Sequence, residues 1–398
     1  MDAKQIREWD DKYVLHTYAR APFVFDRGQG TRLTDTEGKV YLDFVSGIAV
    51  NALGYGDEEV CSAIAEQAHK VIHTSNLYLT APQSQLAKLL VDHSFADKVF
   101  FCNSGAEAVE AAIKFSRKYA QVHSGPDRIE FIAMSGAFHG RTMGALALTP
   151  RDHYQDPFVP LMPGARIAAF NDLESVKALA SDKTCAIIVE PVQGEGGVNP
   201  ADPAFIQGLR ALCDEIGALL IFDEVQCGLG RTGTLWAHEP YGVAPDLMTV
   251  AKPVAGGLPM GVTFLTDEVA AVIGPGDHAS TFAGGAVVAA AGVKVVGRIA
   301  DPEFLAHVRA MGARLEAGLL KLQARHNSIT EVRGRGLIWG VQCDRPVKPV
   351  LDAALGQGLL LINAGPNVVR LIPPLVVDEA DVDMALAVLD QAFAEAMQ

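Results

Sequence analysis

Long apolar runs are missing from this 398-residue chain. Its longest uncharged stretches are broken by glycine, proline or asparagine, so no segment is expected to span a membrane. The N-terminus, Met1 to Asp11, is charged throughout and lacks the apolar stretch of an export signal. Paired cysteines are missing as well. Cys61, Cys102, Cys185, Cys213, Cys227 and Cys343 are scattered with no CxxC among them, which argues against a disulfide framework or a zinc site and reads as reduced thiols in the cytoplasm. His69 and His73 have the i, i+4 spacing of a metal pair, but no HExxH surrounds them and no third ligand is evident, so surface or packing histidines are expected and metal is set aside. Positive charge is in deficit: 33 Lys and Arg stand against 47 Asp and Glu, a net charge of -14. That balance opposes nucleic acid and anionic membrane alike and favours a small-molecule partner. Sequence repeats, low-complexity linkers and a GxSxG elbow are also absent.

What is present is a globular composition, 49% hydrophobic and 20% charged, in a chain longer than one core usually organises. Polar and apolar residues alternate from Thr31 to Phe44 around Glu37-Gly38, predicting a hairpin. From about residue 60 to 290, apolar runs alternate with helical patterns: Lys98 to Phe101, Ile129 to Ile132, Ala186 to Val189, Leu219 to Phe222 and Leu247 to Val250. This predicts an α/β domain with a mostly parallel sheet between helices. Beyond it, Phe304, Val308, Met311, Leu315, Leu319 and Leu322 fall at helical spacing. Leu337 to Val341 and Val368 to Ile372 are strand-like, and Val382, Leu386, Leu389 and Phe393 mark a last amphipathic helix, giving a smaller α+β domain. The expected organisation is an N-terminal segment at 1–60 joining the small domain, a large cofactor-binding domain at 61–290, and a C-terminal small domain at 291–398.

Ligands of open parallel sheets sit at the carboxyl ends of strands. Three ionisable residues follow apolar runs there, Glu190, Asp223 and Lys252, at spacings of roughly 30 residues that suit successive βα units. Each alone could mark where a strand meets solvent. Together they fit a specific chemistry: a desolvated lysine near a cation has a depressed pKa and can form a Schiff base, and a buried aspartate keeps a pyridine nitrogen protonated. That is the pair required by pyridoxal 5'-phosphate. Asn103-Ser104-Gly105-Ala106-Glu107, between strand and helix, offers free amides for the phosphate, although Ser104 with Glu107 also spells a capping box that needs no ligand. Gly228-Leu229-Gly230-Arg231-Thr232-Gly233 matches GxGxxG, but four residues separate it from the strand, Thr234-Leu235-Trp236 does not open a helix, and no acidic residue follows at the required distance.

Ordered segments along nearly the whole chain resemble the class III aminotransferases of the type I pyridoxal-phosphate fold, and within them the acetylornithine aminotransferases. They are Leu42 to Gly54, His73 to Tyr78, Asn103 to Ala108, Phe138 to Thr142, Glu190 to Gly197, Phe222 to Gln226, Ala251-Lys252, Ser280 to Phe282 and Asn367 to Pro374. The resemblance implies that Gly105 and Ala106 hold the phosphate, Phe138 stacks on the pyridine ring and Gln226 lies near its hydroxyl. It implies that Thr281 reaches the phosphate of a neighbouring subunit, making a homodimer with shared active sites. Arg141 resembles a clamp for the substrate α-carboxylate, with Ser280 and Ile48 near the donor. Arg370 resembles a second carboxylate-binding arginine, paired with Glu195 as a switch. Bland readings exist for these too: core packing for Phe138, a loop carboxylate for Glu195, a strand-end charge for Arg370. Pro253 after the lysine and Gly284-Gly285-Ala286 depart from the family wording, and neither removes a catalytic group.

The implied reaction is transamination of N2-acetyl-L-ornithine with 2-oxoglutarate, with Lys252 carrying the cofactor as an imine. Succinylornithine, N-succinyl-diaminopimelate, 4-aminobutyrate and lysine-like amines are rival donors. A decarboxylase, racemase or aminomutase on the same fold, a dinucleotide oxidoreductase and a noncatalytic binding protein are the readings of other classes.

Overall fold

In a computed structural model describing residues 2–396, the apolar runs form the centre of a seven-stranded sheet. Its order is Lys98–Cys102, Gly261–Leu265, Leu247–Val250, Leu219–Asp223, Thr184–Val189, Glu130–Met134 and Ala165–Ala168. Every residue of Thr184–Val189, Leu219–Asp223 and Leu247–Val250 is buried, which is why these strands read as unbroken apolar runs rather than alternating ones. All strands run the same way except Gly261–Leu265, antiparallel to both of its neighbours. The sequence reading missed two strands. Ala165–Ala168 is the edge strand and exposes Arg166 and Ile167, so it shows no apolar run. Gly261–Leu265 follows Lys252–Ala255 too closely for a βα crossover, and reversing its direction removes the need for one.

The Thr31 to Phe44 alternation forms the expected hairpin, with Arg32–Asp35 antiparallel to Val40–Asp43. Phe25–Gln29 flanks it on one side, and on the other Leu359–Leu360 pairs in parallel with Leu42 and Asp43. The N-terminal segment is thereby stitched to the C-terminal region. There, Ile329–Arg335, Ile338–Cys343, Val368–Leu371 and Ile362–Asn363 make an antiparallel sheet. The helices Pro302–Arg325 and Glu379–Ala396 bury Val308, Met311, Leu315, Leu319 and Leu322 from one, and Val382, Leu389 and Phe393 from the other. Residue 291 falls inside the helix Ala286–Ile299, which packs against Glu58–Lys70, Ala81–Asp92 and the Lys252 turn. The expected change of domain at 290/291 therefore cuts a continuous helix that stays with the large sheet.

Among the described residues, no helix is long and apolar enough to cross a membrane. The Gly228–Gly233 segment opens no helix. Instead Arg231, 2% exposed, donates to the carbonyls of Leu337 and Pro373, and a Cβ at Gly230 would strike Ile299. These glycines let a loop thread between the large sheet and the C-terminal region.

Candidate active site

The carboxyl ends of five parallel strands open on one cavity of about 430 Å³, within the size range of small-molecule sites. Ser104, Gly105, Ala106, Phe138, Arg141, Glu195, Asp223, Gln226 and Lys252 line it. Arg370 lies just behind the lining, and its Nη1 donates to Glu195 Oε1 at 2.6 Å and to Gln226 Oε1 at 2.8 Å. Three residues singled out in the sequence lie elsewhere. Ser280 is at the rim, where its hydroxyl accepts from Asn103 Nδ2 at 2.8 Å. Thr281 borders a separate small cleft with His73, Ser75 and Asn76. Ile48 packs partly buried against a cluster that includes Val192, Val198, Cys227 and Ile372.

One end of the cavity is the N-terminus of the helix Gly105–Ser124. Ser104 Oγ accepts from Glu107 N at 3.1 Å, while Glu107 Oε2 reaches back to Asn103 N at 2.9 Å. The cap is therefore made, but its return bond lands one residue earlier than in the standard box. The amides of Gly105 and Ala106, in the first turn, have no acceptors among the described residues and stand at the positive end of a 20-residue helix. The turn is pressed against two neighbours. A Cβ at Gly105 would meet Val225 at 2.8 Å, and one at Gly261 would meet the Ser104 carbonyl at 2.2 Å. Gly261→Ala must therefore shift the Ser104 backbone and misdirect both amides. Cofactor Kd, followed by fluorescence titration of the apoprotein, is expected to rise by about tenfold, with a lowered melting temperature from the overpacked strand; an unchanged Kd would show that this turn does not hold the phosphate.

At the other end stands Asp223. Its Oδ1 accepts from Val225 N at 3.0 Å and its Oδ2 is 2.7 Å from His139 Nδ1. His139 was not singled out from the sequence, because it is Asp223 across the sheet that makes it matter. Burial disfavours the imidazolium, but the hydrogen bond and charge of Asp223, helped by Glu190, outweigh burial and raise the His139 pKa. The other ring nitrogen, Nε2, is buried without a partner among the described residues. Glu190 accepts from Phe138 N at 2.9 Å and Gly194 N at 3.3 Å, so it ties the Phe138 wall to the strand end. Burial, with the nearby Asp223 charge adding to it, pushes its carboxyl up to about 7 against the opposing pull of His139.

Between these ends lies Lys252. Its φ of +25° is in the region that side chains other than glycine avoid. Burial lowers the Lys252 pKa and Arg370 lowers it further, partly opposed by Glu195, Asp223 and Glu190. An amine so placed is neutral over more of the working pH range than an ordinary lysine. Backbone strain recurs at Ser46–Ala49, where Ser46, Gly47, Ile48 and Ala49 all have positive φ. Such a left-handed turn costs roughly 1–2 kcal/mol per non-glycine residue. It is held by Asp43 Oδ1, which accepts from the amides of Val45 and Ser46, and by Ser46 Oγ, which donates to Ile372 O at 2.6 Å.

At the mouth, Arg141 has no carboxylate partner among the described residues, and its guanidinium lies 3.4 Å from the centroid of the Tyr154 ring. Tyr154 was also missed, for it bears no motif and matters only through this stacking. A site with free helix amides at one end, a fixed carboxylate at the other and a partly desolvated amine between them suits an anionic pyridine aldehyde such as pyridoxal 5'-phosphate.

Residues 13–393 match the family described as aminotransferase class-III. The chain is 48% identical to the mitochondrial acetylornithine aminotransferase of Alnus glutinosa, over 98% of this chain and 88% of that one. It is 44% identical to the succinylornithine transaminase of Yersinia pseudotuberculosis, over 98% and 97%. The crystal structure of the ornithine aminotransferase from Toxoplasma gondii superposes with a TM-score of 0.96 at 29% identity, covering 100% of this chain and 96% of that chain. A match of this extent, on a site of this chemistry, makes the protein a member of the class III aminotransferases.

Proposed function

We propose that this enzyme moves the δ-amino group of N2-acetyl-L-ornithine to 2-oxoglutarate, giving N-acetyl-L-glutamate 5-semialdehyde and L-glutamate. The observation that carries the reading is the unequal state of two arginines at one cavity: Arg141 at the mouth has no carboxylate partner among the described residues, while Arg370 beneath is neutralised by Glu195. Class III aminotransferases use pyridoxal 5'-phosphate, which when bound supplies an aldehyde carbon for the amine and a cationic ring that draws electron density from it. Ser104, Gly105 and Ala106 would hold its phosphate, Phe138 would cover a ring face, Gln226 would lie near the ring hydroxyl, and Asp223 would accept the ring N–H. Lys252 would join the aldehyde.

The chain's own residues then divide the work. Lys252 Nζ, its pKa lowered by burial, takes a proton from the donor carbon that bears the amine and later returns one. Asp223, braced by His139 and the Val225 amide, keeps its charge in place throughout. Arg141 binds the donor's α-carboxylate by its fork, its plane set by Tyr154. The donor has no carboxylate at its amine end, so Glu195 stays on Arg370. Burial opposes ionisation of Glu195, but the charge and hydrogen bond of Arg370 outweigh it and hold the carboxyl below its usual range. The acceptor brings a second carboxylate, which replaces Glu195. Ser280 and Ile48 would contact substrate only with movement at the rim.

The reading includes a homodimer in the cytoplasm. Supporting it, Thr281 lies outside its own chain's cavity, beside Phe282 at 70% exposure and a ridge with Ile72 at 67%, Leu77 at 83% and Leu79 at 93%. Apolar exposure so concentrated suits an interface, across which a second copy would bring Thr281 to the phosphate. The near-full-length likeness to a succinylornithine transaminase favours a second reading, in which the acyl group is longer. With 2-oxoglutarate fixed, kcat/KM for N2-acetylornithine is expected to exceed that for ornithine or 4-aminobutyrate by at least about tenfold. A higher value for succinylornithine selects the second reading, and a higher value for either unacylated amine overturns both.

A further inference from the structure

Gln226 makes more contacts than a cofactor hydroxyl would need. Its amide is 6% exposed. Oε1 accepts from Arg370 Nη1 at 2.8 Å, and Nε2 donates to Glu195 Oε1 at 3.2 Å, the same carboxylate oxygen that accepts from Arg370 Nη1 at 2.6 Å. One guanidinium nitrogen is thus shared between an anion and a neutral amide, and the amide also bonds the anion. Its orientation is set by charge: reversed, its NH2 would face the guanidinium and its oxygen the carboxylate. It is also set by shape, because a Cβ at Gly194 would fall 1.9 Å from Gln226 Oε1 and 2.4 Å from Cδ. The amide occupies space that only a glycine at 194 leaves.

We propose that Gln226 is a positioning residue for the acceptor half of the reaction, keeping Arg370 aimed at the cavity while Glu195 gives way to the distal carboxylate of a dicarboxylic keto acid. The inference rests on the two-carboxylate reading given above and deepens it. Arg370 is 1% exposed, and among the described residues its Nε has no partner and its Nη2 makes only a 3.5 Å contact with the Asn363 carbonyl. With Glu195 displaced, a buried cation retains little but Gln226 until the substrate arrives, and a buried charge without acceptors is strongly disfavoured. Gln226 lowers that barrier twice. Its oxygen stays on Nη1, and the N–H that Glu195 vacates becomes available to the incoming carboxylate. In the closed arrangement the charge of Glu195 neutralises Arg370 alongside the neutral amide, so loss of the amide falls mainly on the open one, where that charge has gone. A glutamate at 226 would instead be an anion that cannot leave.

The test compares glutarate and valerate, acids of equal chain length with two carboxylates and one, binding to the pyridoxal-phosphate holoenzyme by isothermal titration calorimetry. The wild type is expected to bind glutarate more tightly; equal affinities would overturn the two-carboxylate reading itself. In Gln226→Leu the glutarate Kd is expected to rise about tenfold while the valerate Kd stays within about twofold. In Gln226→Glu the glutarate Kd is expected to rise further, together with the KM for 2-oxoglutarate. Gly194→Ala, which leaves the amide intact but removes its seat, is expected to show the same selective loss. Cofactor Kd is recorded for each variant, so that a general loss of the site is recognised. A glutarate-to-valerate ratio unchanged from wild type in cofactor-loaded Gln226→Leu and Gly194→Ala overturns the role, while leaving the wild-type preference, and the reading beneath it, standing.

Discussion

Lys252→Ala is expected to lower turnover by at least about 10⁴-fold, since in the proposed mechanism one side chain is both the nucleophile that joins the cofactor and the base that carries the proton. Burial lowers its pKa and so favours the neutral amine, and alanine removes it without adding bulk. Lys252→Arg is expected to fail equally, because a guanidinium keeps its proton and cannot act as a base. Single-turnover rates at saturating cofactor measure the effect, and a cofactor titration of the same variant shows whether the phosphate turn still binds. Steady-state activity within about tenfold of wild type would remove Lys252 from the chemistry. The burial of this residue gives a second expectation. The alanine variant, relieved of the lysine's desolvation, should lose little thermal stability despite losing nearly all activity.

Asp223→Asn is expected to cut kcat/KM by about 10²–10³-fold, the range found when one preorganised electrostatic partner is removed from an active site. The asparagine keeps the shape and can still meet His139 Nδ1, but it carries no charge to hold a ring nitrogen in its protonated form. Asp223→Ala is expected to be worse. It leaves His139 with both ring nitrogens unpartnered in a buried site, where Nε2 already lacks a partner, and an unpaired buried polar group costs about 1–3 kcal/mol. The asparagine variant should therefore keep its melting temperature and lose activity, whereas the alanine variant should lose both. The check is calorimetric melting beside kcat/KM for each. Equal activity in Asp223→Asn and wild type would show that the carboxylate serves the fold and not the reaction.

Much of this architecture was legible because the contacts that dictate it are local. Thr184–Val189, Leu219–Asp223 and Leu247–Val250 are buried on both faces, so each writes its own apolar run, and each run ends at an ionisable residue. Position along a strand was then enough to place Glu190, Asp223 and Lys252 at one edge. The strands that went unread fail for the complementary reason. Ala165–Ala168 is half exposed at the sheet edge, and the reversed strand Gly261–Leu265 breaks the βα rhythm on which the reading relied.

The site was legible in its charges and not in its partnerships. Ser104, Gly105 and Ala106 stand together in sequence, and the helix they begin has to leave amides free. His139 pairs with Asp223 across 84 positions, and Arg370 with Glu195 across 175; no spacing rule connects such residues. Tyr154 under Arg141, and Gly194 under Gln226, depend on which surfaces the fold presses together.

By itself the sequence determined the alternating α/β order, the strand-end charges and the capped turn at Ser104, all of which follow from propensity, burial pattern and capping within a few residues. Tertiary structure alone decided which of those charges share a cavity, which arginine is already neutralised and which glycine makes room for an amide. Those depend on distances between residues far apart in the chain, and in a low-dielectric interior the distances set the energies.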